Sequence, residues 1–156
     1  MSDTKATTRI PGEWRIPYNY TIGDFATSFF SALREKRILG CKCSKCERVS
    51  VPPKSFCEFC FIPVTDLIEV GHNGTIEAVT VVTAPFAGSP PVPYAVAYVR
   101  LEGATSSIAN YVRGVELPAD VDVLPQELQV GAPVHVVFES EPEGRVTDFS
   151  FFPAHE

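Results

Sequence analysis

Cys43-Ser44-Lys45-Cys46, ten further residues, then Cys57-Glu58-Phe59-Cys60 decide how the chain is read. Two Cys-x-x-Cys pairs joined by a short connection can bring four thiolates around one tetrahedral ion, the donor set of a structural zinc site. Cys43, Cys46, Cys57 and Cys60 are the expected ligands. Four sulfurs leave no open position for water or substrate, so Zn2+ is expected to hold structure rather than to catalyse. Each pair should form a tight knuckle. Ser44 and Lys45 keep the first turn polar, and Val49-Ser50-Val51-Pro52-Pro53 must travel out and back between the pairs. The unit predicted over 39–63 is a rubredoxin-like zinc ribbon.

Cys41 lies two residues before the first of these ligands. Using it in place of Cys43 would open a four-residue gap before Cys46, unlike the two-residue gap of the second pair. On an extended strand it shares a face with Cys43, and it reads as a small buried side chain.

Upstream, Ile22, Phe25, Phe29 and Leu33 recur at spacings of three and four, with Phe30 widening the stripe. That period predicts an amphipathic helix over 21–38. Thr21 is the expected cap, Asp24 suits the positive end of the dipole, and Arg34, Lys36 and Arg37 suit the other end. Gly40 is expected to stop the helix. Residues 1–20 read as an arm in which Pro11, Gly12 and Pro17 break periodicity, while Trp14, Ile16, Tyr18 and Tyr20 offer large anchors. Such an arm would lie across its own domain or another subunit.

Downstream the period changes to that of strands. Segments 64–70, 74–82, 92–101, 105–112, 133–138 and 146–152 are rich in β-branched and aromatic residues, and Gly71-His72-Asn73-Gly74 reads as a turn. Short strands of this number protect their edges most economically by closing, which predicts a small barrel over 64–156. Two connections are long. Residues 83–91 should project a loop bearing Phe86. Residues 114–131 contain Pro118, Asp120, Asp122, Pro125 and Glu127, with Val121, Val123, Leu124 and Leu128 available to pin them to the barrel. The fold class is therefore mainly β: an N-terminal helix, a zinc ribbon and a C-terminal barrel.

Composition agrees with a packed chain: hydrophobic residues are 45% of 156. There is no apolar run long enough for a membrane span, and the first eight residues lack the apolar segment of a signal peptide, so a cytoplasmic location is the expectation. Reduced cysteines suit that compartment. The formal charge is −6, and binding a divalent ion through four thiolates would take it to about −8, which repels nucleic-acid backbones overall. The exception is local: Lys36, Arg37, Lys42, Lys45, Arg48 and Lys54 form a basic stretch around the first knuckle. Its function is either recognition of an anion or compensation of the negative zinc–thiolate centre.

Taken in order, these features resemble the zinc-ribbon and OB-fold accessory proteins of thiolases and related acyl-CoA enzymes, long catalogued as a domain of unknown function. The resemblance covers residues 22–153. It rests on the helix, the four-cysteine ribbon, Pro52-Pro53-Lys54, Gly74-Thr75-Ile76, Val92-Pro93-Tyr94, Val130-Gly131-Ala132-Pro133-Val134 and Phe151-Phe152-Pro153. This sequence departs from the family's usual form at Lys54, where Arg is frequent, at Glu47, where Gly is common, at Glu58, where Pro is frequent, and at His72.

The resemblance implies an OB-fold barrel and a non-catalytic subunit that docks on a thiolase-like or acyltransferase-like partner. That partner would carry the catalytic residues for thiolytic or Claisen-type chemistry. His72, His135 and His155 are scattered without the spacing of a nucleophilic relay, so no catalytic residue is expected in this chain. Where a CoA thioester passes, Lys42, Lys45, Arg48 and Lys54 would meet its phosphates, and Phe56, Phe59 and Phe86 would line an apolar path with room for an aromatic acyl group. The alternative is an independent binding module for CoA or single-stranded nucleic acid, with Tyr94, Tyr98 and Tyr111 as stacking platforms and Arg100 and Arg113 as nearby cations.

Overall fold

The structure is a computed structural model that describes residues 12, 16–19, 21–117 and 123–154. Pro11, Trp14, Tyr20, Pro118, Asp120, Val121, Asp122 and His155, singled out above, lie outside the described residues. Among the described residues no helix is long and apolar enough to cross a membrane.

The amphipathic stripe forms α1 (Asp24–Arg34), which buries Phe29, Ala32 and Leu33. It is shorter than its period suggests at both ends. Thr21 lies outside it. The N-cap is Gly23, whose carbonyl accepts the Thr27 backbone N–H at 2.9 Å and the Thr27 hydroxyl at 3.1 Å. Ile22 precedes the helix and stays exposed. The stop is Lys36, at φ 57°, rather than Gly40. Gly40 sits inside β1 (Ile38–Lys42), where a Cβ would come within 3.0 Å of the Ser50 carbonyl and of methyls on Val49 and Val51. It is a close-approach glycine, not a helix terminator.

Beside β1 lie β2 (Val49–Ser50) on one edge and β3 (Asp66–Val70) on the other, both antiparallel. The sequence reading places 64–70 in the barrel. Its hydrogen bonds instead run to β1, from Ile38↔Val70 through Lys42↔Asp66, so by pairing this strand completes the ribbon sheet.

The remaining strands close: β4 (Asn73–Val82), β5 (Tyr94–Leu101), β6 (Ile108–Val112), β8 (Phe149–Pro153) and β7 (Pro133–Phe138) follow one another around a barrel. Closure depends on two features. A register shift between Ile76 and Ala78 bends β4, which pairs with β5 from Gly74 to Val82 and, through Asn73 to Thr75, with β7 on its other side. The parallel contact Val112↔Phe151 joins β6 to β8. Alternation on β5 sends Ala95, Ala97, Val99 and Leu101 inward and leaves Tyr98 and Arg100 outside. The expected strand over 146–152 begins only at Phe149. Before it, Val146–Asp148 makes a 3₁₀ turn, closed by the Asp148 carboxylate, which accepts the N–H groups of Gly144 (2.6 Å) and Arg145 (2.7 Å). Of the residues expected to pin the 114–131 excursion, Leu128 is fully buried and Leu124 packs on the core, whereas Val123 is 79% exposed.

Helix, ribbon and barrel share one core, in which Phe29, Leu33, Ile38, Val49 and Val51 form one cluster with Ile76, Val99, Phe149 and Phe151. Polar contacts reinforce this union. The Thr105 hydroxyl bonds both the N–H and the C=O of Val49, at 2.9 and 3.0 Å. The Ser106 hydroxyl does the same for Val51, at 2.8 and 3.2 Å. The free edge of β2 is thus satisfied by the β5–β6 connection. On the other side of the barrel, Arg34 Nε donates to the Glu143 carbonyl at 2.9 Å.

Gly144 makes that last contact possible. It has φ +86°, and a Cβ there would stand 2.8 Å from both Arg34 Nε and the Phe30 carbonyl. Gly103 has a similar φ of +84° but open space around it. Gly103→Ala should therefore cost about 1 kcal/mol of unfolding free energy, from backbone conformation alone. Gly144→Ala should cost roughly 2–3 kcal/mol, because the helix must also move away from the barrel. Equal urea midpoints for the two variants would show that the helix contact adds nothing.

Candidate metal centre and the ribbon surface

β1 delivers Cys43 to the first knuckle, where the Cys43 N–H bonds the Arg48 carbonyl and the Glu47 N–H bonds the Cys43 carbonyl, each at 2.9 Å. The second knuckle repeats the pattern: the Cys57 N–H bonds the Ile62 carbonyl at 2.9 Å and the Phe61 N–H bonds the Cys57 carbonyl at 2.8 Å. The residue after each second cysteine has left-handed backbone, Glu47 at φ 58° and Phe61 at φ 55°. An L side chain in this conformation costs roughly 1–2 kcal/mol.

The ligand atoms of Cys43, Cys46, Cys57 and Cys60 all lie within 4.8 Å of one another. Cys46 Sγ and Cys57 Sγ are 3.7 Å apart. A tetrahedron with Zn–S bonds of about 2.3 Å has an edge of about 3.8 Å, so the donor set fits zinc. Bound there, the ion would cross-link the two knuckles through four strong bonds. Cys43 and Cys57 are buried, and Cys46 and Cys60 are half-buried. The Cys43 thiol is pulled down to about 6, chiefly by the Cys46 backbone N–H, with the Lys45 N–H adding to it and burial opposing. Cys60 is pushed up to about 12, first by its hydrogen bond to Cys46, then by burial and the neighbouring sulfurs. Cys41 is buried outside the four-sulfur group, where its Sγ accepts the Lys54 N–H at 3.1 Å.

The cations singled out from the sequence divide into two kinds. Lys42 pairs with Glu47 at 3.6 Å and Lys54 with Glu58 at 2.8 Å. Lys45 and Arg48 have no carboxylate partner among the described residues, and the Arg48 guanidinium lies over the Phe59 ring, 4.1 Å from its centroid. Phe56 and Phe59 are exposed on the second knuckle; Phe86 is exposed on the β4–β5 connection, a separate element. The residue that sequence reasoning missed is Phe61, 82% exposed beside the last ligand. Its signal was the position itself, the counterpart of Glu47. On the barrel, Tyr94 and Tyr111 pair edge-to-face at 5.6 Å. Arg100 and Arg113, the cations expected beside them, are bound to Glu77 at 2.8 Å and Glu139 at 3.4 Å.

Two family models match the chain, and the second takes in β3 together with the barrel. Residues 30–64 match the ChsH2 rubredoxin-like zinc ribbon domain, and residues 67–139 match the ChsH2 C-terminal OB-fold domain. The chain belongs to the ChsH2 zinc-ribbon/OB-fold (DUF35) family. Domains of this family are associated with thiolase-like and acyl-CoA enzyme systems as accessory components. A curated relative, the probable enoyl-CoA hydratase alpha subunit of Thermomonospora curvata, is 26% identical over 116 residues, which is 74% of this chain and 34% of that protein. The chain thus spans about a third of that relative's length. Among solved structures, the Ltp2–ChsH2(DUF35) aldolase has a TM-score of 0.65 at 22% identity, covering 88% of this chain and 100% of that one. A DUF35 protein of unknown function from Sulfolobus solfataricus has a TM-score of 0.62 at 22% identity, covering 85% and 87%. These two likenesses show the fold.

The site makes two predictions. Serine replacement of Cys43, Cys46, Cys57 or Cys60 should abolish stoichiometric zinc in the purified protein, whereas Cys41→Ser should retain it, as metal analysis will read directly. Protons compete with the ion for sulfur, and Cys60 carries its proton at neutral pH, so zinc affinity should rise with pH. Each displaced proton changes it roughly tenfold per pH unit. Competition with a chromophoric chelator at pH 6 and 7.5 checks the sign; equal affinities would contradict four-thiolate ligation.

Proposed function

We propose that this protein is a non-catalytic accessory subunit of a thiolase-like acyl-CoA enzyme, required for assembly and for shaping the CoA and acyl passage. The observation that carries this reading is the paired match, zinc ribbon then OB-fold, over residues 30–64 and 67–139. The chemistry served is thiolytic or Claisen-type carbon–carbon cleavage or formation, with the nucleophile and the acid–base groups on the partner. An aromatic acyl thioester is the substrate class that a phenylalanine-lined passage suits.

Within that reading the CoA phosphates lie against Lys45 and Arg48, the two ribbon cations without carboxylate partners among the described residues. Lys42 and Lys54 supply longer-range positive potential, and Phe86 contributes from the barrel.

Affinity isolation from native extract, with the copurifying chains identified and the complex mass determined, tests the proposal. A stoichiometric thiolase-like chain is expected, with acyl-CoA turnover that needs both proteins. A lone chain that retains RNA through a salt wash would overturn it.

A further inference from the structure

Phe61 breaks two rules at once. An 82% exposed phenylalanine leaves most of its ring in water, and its φ of 55° is a conformation that glycine or asparagine adopts more readily. Neither feature helps this chain to fold. Glu47 shares the backbone conformation in the first knuckle, but its charge is solvated and pairs with Lys42. Phe61 also has company, since Phe56 is 53% and Phe59 58% exposed within the same six residues. Together the three rings present roughly 400 Å2 of aromatic surface. That is about half of one partner's share of a standard protein interface, near 800 Å2, and is enough for its desolvated centre. Arg48, which has no carboxylate partner among the described residues, covers one face of Phe59. Aromatic rings with arginine are the composition in which interface energy concentrates.

We propose that the second zinc knuckle, through Phe56, Phe59 and Phe61, is the surface that docks the acyl-CoA enzyme subunit. The subunit presents an apolar pocket that receives the three rings and leaves Lys45 and Arg48 available to the CoA phosphates. The inference rests on the accessory role proposed above and adds where the contact is made. The metal then acts as a template that holds the three rings in place, so zinc loss abolishes docking without any part in the chemistry.

Phe61 offers an unusually clean test, because the replacements that remove the ring also relieve the backbone. Full-length Phe61→Gly and Phe61→Asn proteins should keep stoichiometric zinc and an unfolding midpoint no lower than that of the parent. Their association with the purified thiolase-like subunit, measured by sedimentation or surface-immobilised binding, should weaken at least tenfold. Tyr98→Ser removes an exposed ring from the barrel and should leave binding unchanged. Undiminished binding by both Phe61 variants, or loss confined to Tyr98→Ser, overturns the docking surface and leaves the accessory role standing. If the unaltered protein does not bind the subunit, the role fails and the surface assignment falls with it. A homodimer dissolved by both Phe61 variants, with subunit binding intact, assigns the face to a second copy and likewise overturns the proposal.

Discussion

Four sulfurs gathered within 4.8 Å set the terms for the N-terminal half of this protein. Without a cation they cannot all ionise: Cys43 is drawn toward the thiolate while Cys60 is driven to hold its proton. Nor can apolar burial replace the ion, since the cluster around the knuckles has only Cys41, Cys43, Cys57 and Val64 fully buried. Val64, the one non-cysteine among them, contributes about 1.5–3 kcal/mol by burial, against the ~10–16 kcal/mol typical of a structural zinc site. A zinc ion held there would therefore contribute more to the knuckles than their own apolar burial does.

What the four-cysteine centre fixes is passed to the barrel through β1. Cys41 on this strand joins the metal-side cluster, as does Cys43 just beyond it, while Ile38 joins the main core with Phe29, Val99 and Phe151. One strand thus belongs to both cores. Its neighbour β2 would be an exposed edge, but Thr105 and Ser106 reach from the barrel to satisfy it. Among the described residues no buried side-chain polar atom lacks a partner. The ribbon is thus joined to the barrel both by shared core packing and by hydrogen bonds along β2.

The parts legible in the sequence were those governed by short-range rules. Cysteine spacing named the ligands that the structure brings together, and alternation located strands from Asn73 to Phe138 within a few residues. The errors lie where a distant segment decides. Periodicity from Ile22, with Gly40 taken as the stop, suggested a longer helix, because sequence does not show that Lys36 adopts φ 57° or that Gly40 must pass within 3.0 Å of the Ser50 carbonyl. The strand ending at Val70 read as a barrel strand because composition does not reveal a partner, and its partner was β1. Thr105 and Ser106 looked like ordinary strand-forming residues; their hydroxyls acquire a role only through neighbours more than fifty positions away.

The knuckles also show how a local conflict carries information that burial does not. Cys-x-x-Cys turns impose left-handed backbone on the following residue, whatever its type, so Glu47 and Phe61 carry comparable strain. At Glu47 the side chain is charged and solvated, and the conflict concerns the backbone alone. At Phe61 the hydrophobic effect opposes the same placement, because 82% of the residue remains in water. Two unfavourable contributions at one residue, with glycine able to remove both, are not accounted for by the stability of the isolated chain. Natural sequences depart from local consistency chiefly at functional positions. Burial against a partner removes the larger of the two costs, and it does so only in the assembled state, which makes the exposed ring a thermodynamic bias toward assembly rather than a defect of the fold.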